Sequence, residues 1–149
     1  IKNNIDIKNE TTDTKIKEIS EKAHILEDIT LMEDGFQTRI GENGIKISGG
    51  QKQRIQIARN LLNIRNVNIF DDTLSALDID TEKKVIQEIE KQVENNILIV
   101  ISNKISMMEK MDKVFLLIDG KSCAEGTHKE MLMKSEIYNE LNTYEGIET

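Results

Sequence analysis

The stretch Ile47-Ser48-Gly49-Gly50-Gln51 is the part of the chain from which the rest is best interpreted. Ser48 and Gln51 have the spacing of a capping box, in which each side chain accepts a hydrogen bond from a backbone N–H at the start of a helix. Gly49 and Gly50 have no β-carbon, so the oxygens of another molecule can approach their backbone closely. A helix N-terminus with bare glycines and a serine hydroxyl is a favourable seat for a phosphate. Taken alone, the stretch is equally typical of a capped helix after a tight turn.

A helix is predicted to follow this stretch, because apolar residues recur at helical spacing. The apolar set is Ile55, Ala58 and Leu62. Two short apolar runs further on predict buried parallel strands. The first, Val67–Phe70, ends in the two carboxylates of Asp71 and Asp72, and the second is Ile97–Ser102. An aspartate at the end of such a strand is where nucleotide-hydrolysing folds hold Mg²⁺.

In order and spacing, four segments resemble the motifs of ATP-binding cassette (ABC) ATPases. Ile47–Gln51 resembles the signature motif, and Val67–Asp71 resembles the Walker B strand, which makes Asp71 the candidate metal ligand. Ser75–Asp78 resembles the D-loop, and Ile99–Ser106 resembles the segment that carries the switch histidine. The resemblance extends from near the first residue into the C-terminal region.

Within that superfamily the chain is most similar to multidrug and lipid exporters. This similarity rests on Asp34–Gly44, before the signature, and on Glu125–Glu130, near the end. Thr38–Gly44 resembles the segment that touches the coupling helices of the transmembrane domain. In that segment Arg39 and Asn43 occupy positions that are usually acidic and basic, respectively.

The resemblance implies an α/β fold, namely the C-terminal portion of a P-loop NTPase (RecA-like) cassette with a parallel sheet core and a helical subdomain. Residues 1–46 are expected to form most of the helical subdomain. Residues 47–149 are expected to form the C-terminal part of the ATPase core, with a C-terminal hairpin and helices. The alternation of helical and strand patterns after residue 51 independently favours a parallel α/β sheet.

Local patterns predict further elements. Apolar spacing predicts helical structure between Thr14 and Asp34, and another helix after Asp78 or Asp80. A hairpin turn is predicted at Asp119–Gly120, and Thr127–Glu130 is a second capping box. The apolar set between residues 14 and 34 is Ile16, Ile19, Ala23, Ile25, Leu26 and Ile29.

The phosphate-binding motif Gly-x-x-x-x-Gly-Lys-Ser/Thr occurs nowhere in the sequence. Gly44 and Gly49 have the glycine spacing, but Gly50 follows where the lysine is needed. Because that loop and its lysine cradle the β- and γ-phosphates, the chain alone is expected to bind ATP weakly or not at all. An unpaired sheet edge and uncovered apolar surface are expected where the corresponding strands are missing.

Two positions depart from what the family uses for hydrolysis. Asp72 stands where a glutamate general base is usual, and its carboxylate is one methylene shorter. Asn103 stands where the switch histidine is expected, and its amide can donate a hydrogen bond but never carries a positive charge. Together the two changes indicate a degenerate cassette, whose own site binds ATP without rapid turnover.

The signature motif, in contrast, is intact apart from the conservative Ile47. In the family two cassettes pair head to tail, and each signature closes on the ATP, with its Mg²⁺, that the other cassette holds. The resemblance therefore implies that Ser48–Gln51 complete the site on a second cassette. Ser75 and Asp78 of the D-loop are further nucleotide-site candidates, and Asp78 would link the two sites.

Composition limits the partners of this 149-residue chain. Its net charge of −7 and pI of about 5.0 argue against nucleic acid and anionic membrane surfaces as direct partners. Cys123 is the single cysteine, which excludes an intrachain disulfide and fits a reducing compartment. No apolar run approaches the roughly 20 residues of a membrane span. We expect no membrane insertion by this chain and a place at the cytoplasmic face of a membrane, through a transmembrane domain that the sequence does not contain.

Two alternative functions remain open from the sequence. One is the C-terminal head lobe of a chromosome-maintenance or DNA-repair ABC ATPase, which would show a long heptad coiled coil before the signature and a basic DNA-facing surface. The other is a non-catalytic module that binds a cassette without hydrolysis. The affinity of the chain for ATP, alone and with an intact cassette, distinguishes these alternatives.

Overall fold

The computed structural model describes residues 1–41 and 44–147 and shows a mixed α/β chain. Its contacts define two compact units, Ile1–Ile101 and Ser102–Thr149. The boundary between a helical subdomain (1–46) and an ATPase core (47–149) stays a prediction. Asn43, one of the two unusual positions in the predicted membrane-domain contact, lies outside the described residues.

The first unit consists of short helices, then a long helix, and then a strand–helix–strand segment. Its elements are α1 (Lys2–Ile5), α2 (Asp13–Lys22), α3 (Leu26–Thr30), a 3₁₀ turn (Gly35–Gln37), α4 (Gly49–Leu62), β1 (Val67–Asp71), α5 (Ile79–Gln92) and β2 (Ile97–Ile101).

The helical pattern before residue 34 forms two helices, not one. Helix α2 ends at Lys22 with Ala23 as its C-cap, and His24 follows in the left-handed region with φ of 52°. A single non-glycine residue there interrupts the helical hydrogen bonds and turns the chain. Ala23 and Ile25 are nevertheless fully buried, as the apolar pattern predicts, whereas Leu26 is only half-buried.

Helix α4 packs against α1 and α2 through one apolar face. Ile55 and Ala58 are buried there, as predicted, but the next buried position is Leu61 and not Leu62. A polar link to α1 adds to this contact, since the Arg59 guanidinium donates a hydrogen bond to the carbonyl of Asn4. The apolar contact and this polar link together fix α4 on the helical region.

The predicted parallel pairing of the two strands is confirmed. Strands β1 and β2 run parallel, with Val67 opposite Ile97 and Asp71 opposite Ile101. Helix α5 connects the two strands, and its buried face carries Val85 and Ile89. The carboxylates of Asp71 and Asp72 at the end of β1 therefore lie at the C-terminal edge of a parallel pair, where α/β folds place their ligands.

One face of this two-stranded sheet is uncovered. Phe70, on the inner face of β1, is 1% exposed, whereas its neighbour Ile69 on the outer face is 58% exposed. The outer face is otherwise formed by apolar side chains that are all about half exposed. They are Val67, Ile97, Ile99 and Ile101. The strands are thus buried on one side only, and the outer face is the uncovered apolar surface that the sequence predicts.

This difference between the two faces predicts the effect of truncating neighbouring side chains. Phe70→Ala should lower the free energy of unfolding of the 149-residue chain by about 3–5 kcal/mol, because it leaves a cavity in a packed core. Ile69→Ala, the matched change on the outer face, should cost less than about 1 kcal/mol. Urea unfolding of both variants measures the difference. Equal losses would contradict the assignment of the two faces.

The second unit contains a hairpin and two helices. A 3₁₀ segment (Ile105–Lys110) precedes antiparallel strands β3 (Val114–Ile118) and β4 (Lys121–Gly126), and helices α6 (His128–Lys134) and α7 (Glu136–Ile147) follow. The predicted turn is present, since Asp119 and Gly120 both have positive φ, 49° and 74°, as a tight hairpin turn requires. The predicted capping box between Thr127 and Glu130 also forms at the start of α6.

Cys123 lies on β4 at an irregularity in the pairing of the hairpin, and it is exposed. No helix within residues 1–41 and 44–147 is long and apolar enough to cross a membrane.

Candidate functional site

The predicted capping box at the start of α4 is present in full. Ser48 has an extended backbone, and its Oγ accepts a hydrogen bond from the Gln51 N–H at 3.1 Å. The Gln51 Oε1 in turn accepts from the Ser48 N–H at 2.9 Å. Between them, the N–H groups of Gly49 and Gly50 have no hydrogen-bond partner among the described residues. Ser48 and Gly49 are exposed, so the helix tip offers two free N–H donors and a hydroxyl to solvent.

Polar contacts from the helical region support the α4 tip. The Asp28 carboxylate of α3 accepts from Gln51 Nε2 at 2.7 Å through one oxygen and pairs with Arg54 Nη1 at 2.9 Å through the other. Arg54 also donates to the carbonyl of His24, the residue at the break between α2 and α3. Both members of the ion pair are partly buried. Gln51 is thus committed at both ends of its amide, and its side chain supports the tip.

Sequence reasoning did not identify Asp28 or Arg54 as members of the site. Asp28 is 23 residues from Gln51 along the chain, and no spacing rule connects an acid on one helix to the cap of another. Arg54 follows the cap in sequence, but its direction toward Asp28 depends on the packing of α3.

The segment Ser75–Asp78 lies directly against the two glycines. A β-carbon added to Gly49 would lie 3.5 Å from the Ala76 Cβ, and one added to Gly50 would lie 3.1 Å from the Ala76 oxygen. The first distance is an ordinary contact and the second is tight. The structure therefore brings the predicted signature residues and the predicted D-loop residues together within one unit.

Gln53, on the first turns of α4, binds this same segment. Its Nε2 donates to the carbonyl of Asp72 at 3.1 Å and to the Ser75 Oγ at 2.9 Å. Its Oε1 accepts from the Ala76 N–H at 2.8 Å. Sequence reasoning missed these contacts, which join residues 19 to 23 positions apart along the chain.

Asp71 and Asp72 are both exposed at the end of β1. Asp72 has a positive φ of 48°, and its N–H donates to the carbonyl of Ile101 at 2.9 Å. Among residues 1–41 and 44–147 there is no cluster of three or more His, Cys, Asp or Glu side chains suited to a metal. Mg²⁺ commonly uses only one or two carboxylates together with phosphate oxygens and water, and an exposed aspartate at a strand end fits that mode of binding.

Asp78 is the N-cap of α5. Its carboxylate accepts from the Thr81 N–H at 2.9 Å. This backbone hydrogen bond, supported by the Thr81 hydroxyl and the positive charge of Arg54, lowers the pKa of Asp78 below its usual value. Asp78 therefore carries a negative charge at the start of α5.

Asn103 belongs to the second unit and is exposed. The Ser102 Oγ before it accepts a hydrogen bond from the Lys104 N–H at 3.0 Å. This local turn leaves the Asn103 side chain at the surface of its own unit.

A groove of about 630 Å³ lies on the helical region of the first unit. One wall is formed by the start of the chain and α1, and the other by the residues after the 3₁₀ turn. The lining residues are Ile1, Lys2, Asn3, Asn4, Phe36, Gln37, Thr38, Arg39 and Ile40. Thr38 is 1% exposed, and its hydroxyl has no hydrogen-bond partner within the described part of the chain.

Comparison with known proteins accounts for this arrangement. Residues 2–75, which include the capped tip, β1 and the two aspartates at its end, match the family model described as ABC transporter. The chain belongs to the ABC transporter family. ABC transporter domains generally bind ATP with Mg²⁺ and hydrolyse it.

The relatives that the chain matches include proteins named as exporters and as lipid flippases. It is 40% identical over 133 residues to a Rickettsia conorii protein named as an export ATP-binding/permease protein, covering 89% of this chain and 23% of the relative. It is 37% identical over 138 residues to the ATP-dependent lipid A-core flippase 1 of Colwellia psychrerythraea, covering 93% of this chain and 23% of that protein.

A solved structure confirms the fold class. A bacterial Atm1-family ABC exporter with ATP bound matches with a TM-score of 0.89 at 27% identity, covering 97% of this chain and 26% of that one. The chain thus spans about a quarter of the length of the ABC transporter relatives that it matches.

Proposed function

We propose that this chain is the signature-bearing part of an ABC exporter cassette and that its α4 tip completes the ATP site of a second cassette. The observation that carries the proposal is the exposed tip itself. Gly49 and Gly50 present free N–H groups, and Ser48 presents its hydroxyl, at the positive end of a 14-residue helix. Such a helix end binds phosphate oxygens.

In this proposal the nucleotide at the α4 tip is bound mainly by another polypeptide segment. The chain contains no glycine-lysine phosphate loop, and its own tip lacks the lysine that neutralises the β- and γ-phosphates. In a head-to-tail pair of cassettes, the second cassette supplies that loop. The energy of ATP binding and hydrolysis in the pair then drives transport across the membrane.

The uncovered outer face of the β1–β2 sheet supports the view that further elements of a cassette pack against it. Its five apolar side chains form a contiguous patch, and patches of this kind mark contact surfaces. Residues 1–46 serve as the helical subdomain in this proposal, and residues 47–149 serve as part of the ATPase core.

The groove on the helical region is the proposed seat of the coupling helices. It joins α1 to the segment that begins at Thr38, the segment that resembles the exporter contact. Arg39 lies on its wall, where an acidic residue is usual, so the groove presents positive charge to its partner. In this proposal the chain lies at the cytoplasmic face of a membrane through that contact.

The cassette's own site is the degenerate one in this proposal. Asp71 would hold Mg²⁺, which neutralises charge on the phosphates when bound. Asp72 is too short to polarise a water placed for glutamate, and Asn103 provides an amide donor without charge. Asp71, Asp72 and Asn103 are each exposed at the surface of their own unit, and Asp78 carries its charge at the D-loop.

The role of the tip predicts opposite effects of one substitution on stability and on activity. Gly49→Ala should stabilise the 149-residue chain by about 0.5 kcal/mol, because alanine favours the helix and its Cβ meets Ala76 at an ordinary distance. In the complete transporter the same change should reduce ATP hydrolysis by roughly tenfold or more, because the methyl group blocks the approach of the phosphate.

The matched control is Lys52→Ala, an exposed position one turn along the same helix, which should leave hydrolysis unchanged. Urea unfolding and steady-state ATPase rates measure the two effects. Full hydrolysis by the Gly49→Ala transporter would contradict the proposal.

The degenerate site predicts a gain of function. In a transporter whose second cassette is inactivated, Asp72→Glu combined with Asn103→His should raise turnover at this site by about 10²-fold or more, the scale of general base catalysis. Each single substitution should raise turnover less than the pair does. Single-turnover hydrolysis measures the rates, and equal native hydrolysis at both sites would show that the site is not degenerate.

A further inference from the structure

We propose that Gln53 is a positioning residue that joins the signature tip and the D-loop into one rigid block. The inference rests on the proposed function, because the block acts on the nucleotide of a second cassette. It concerns a residue that belongs to neither motif.

The hydrogen bonds of Gln53 fix both ends of its amide. The Nε2 group lies 3.1 Å from the Asp72 carbonyl and 2.9 Å from the Ser75 hydroxyl, and the Oε1 lies 2.8 Å from the Ala76 N–H. Only one orientation of the amide satisfies these partners, because the carbonyl needs a donor and the N–H needs an acceptor. The Gln53 amide thus bonds both a backbone acceptor, the Asp72 carbonyl, and a backbone donor, the Ala76 N–H.

The D-loop has few hydrogen bonds within itself. Ser75 Oγ donates to the Asp72 carbonyl at 3.2 Å, and the Leu77 N–H donates to the Leu74 carbonyl at 3.2 Å. Leu74 and Leu77 are buried anchors, whereas Ser75 and Ala76 between them are exposed. The exposed part of the loop therefore depends on α4 for its position.

Contact with the glycines completes the block. Gly50 approaches the Ala76 oxygen so closely that an added β-carbon would lie 3.1 Å from it. The hydrogen bonds of Gln53 hold the two backbones at that separation. Any displacement of the α4 tip must then carry Ala76 with it.

The same amide connects the tip to the chain's own hydrolytic position. The Asp72 N–H donates to the Ile101 carbonyl on β2, and the Asp72 carbonyl accepts from Gln53 Nε2. Its positive φ is held between these two contacts. When a second cassette closes its nucleotide on the tip, Gln53 transmits the movement to Asp72.

The test compares Gln53→Leu, Gln53→Glu and Gln56→Leu in the complete transporter. Gln53→Leu removes every hydrogen bond at nearly the same volume, so kcat for ATP should fall about tenfold. The KM for ATP and ATP-driven pairing of the cassettes should change less than about twofold, because Ser48, Gln51 and Asp28 hold the tip without Gln53.

Gln53→Glu keeps an acceptor for the Ala76 N–H but loses the donor to Asp72, so it should give an intermediate kcat. Gln56, which is exposed on the same helix, controls for a new leucine on α4 and should have no effect.

Two results would overturn the inference. One is an unchanged kcat in Gln53→Leu. The other is a rise in KM with loss of pairing, which would mean that Gln53 only supports the fold of the tip. Failure of the proposed function has a different signature, because the unmodified transporter would then show no ATP-driven pairing of its cassettes.

Discussion

A helix cannot satisfy its own first backbone N–H groups, and at α4 this constraint organises the surrounding structure. Ser48 and Gln51 satisfy two of these groups by reciprocal hydrogen bonds at 3.1 and 2.9 Å. The two that remain belong to glycines, at which no side chain obstructs an approaching oxygen. The cap thus keeps the helix start ordered and leaves its centre open to an anion.

Polar contacts on two sides keep that opening in place. Asp28 holds Gln51 and Arg54 from the helical region, and Gln53 holds the D-loop from within α4 itself. These side chains are partly buried, where a polar group left without a partner is costly. The tip, the D-loop and the strand end that carries Asp71 and Asp72 are in this way parts of one unit.

Local elements could be predicted from the sequence because local rules determine them. The cap at Ser48, the turn at Asp119–Gly120 and the parallel β1–β2 pair all follow from short patterns of residues. The break at His24 could not be predicted, because a left-handed histidine has no clear local signal. The burial of Leu61 and not Leu62 depends on where α1 and α2 contact the helix. The links from Asp28 and Gln53 join distant segments, so only the folded chain reveals them.

The account depends on the α4 tip meeting a nucleotide that another cassette holds. A cryo-EM structure of the complete transporter with ATP and Mg²⁺ bound tests this most directly. The account predicts the Ser48 Oγ and the Gly49 and Gly50 N–H groups at about 3 Å from the γ-phosphate of the nucleotide on the second cassette. A tip that faces solvent while both nucleotides are enclosed between the cassettes would contradict it.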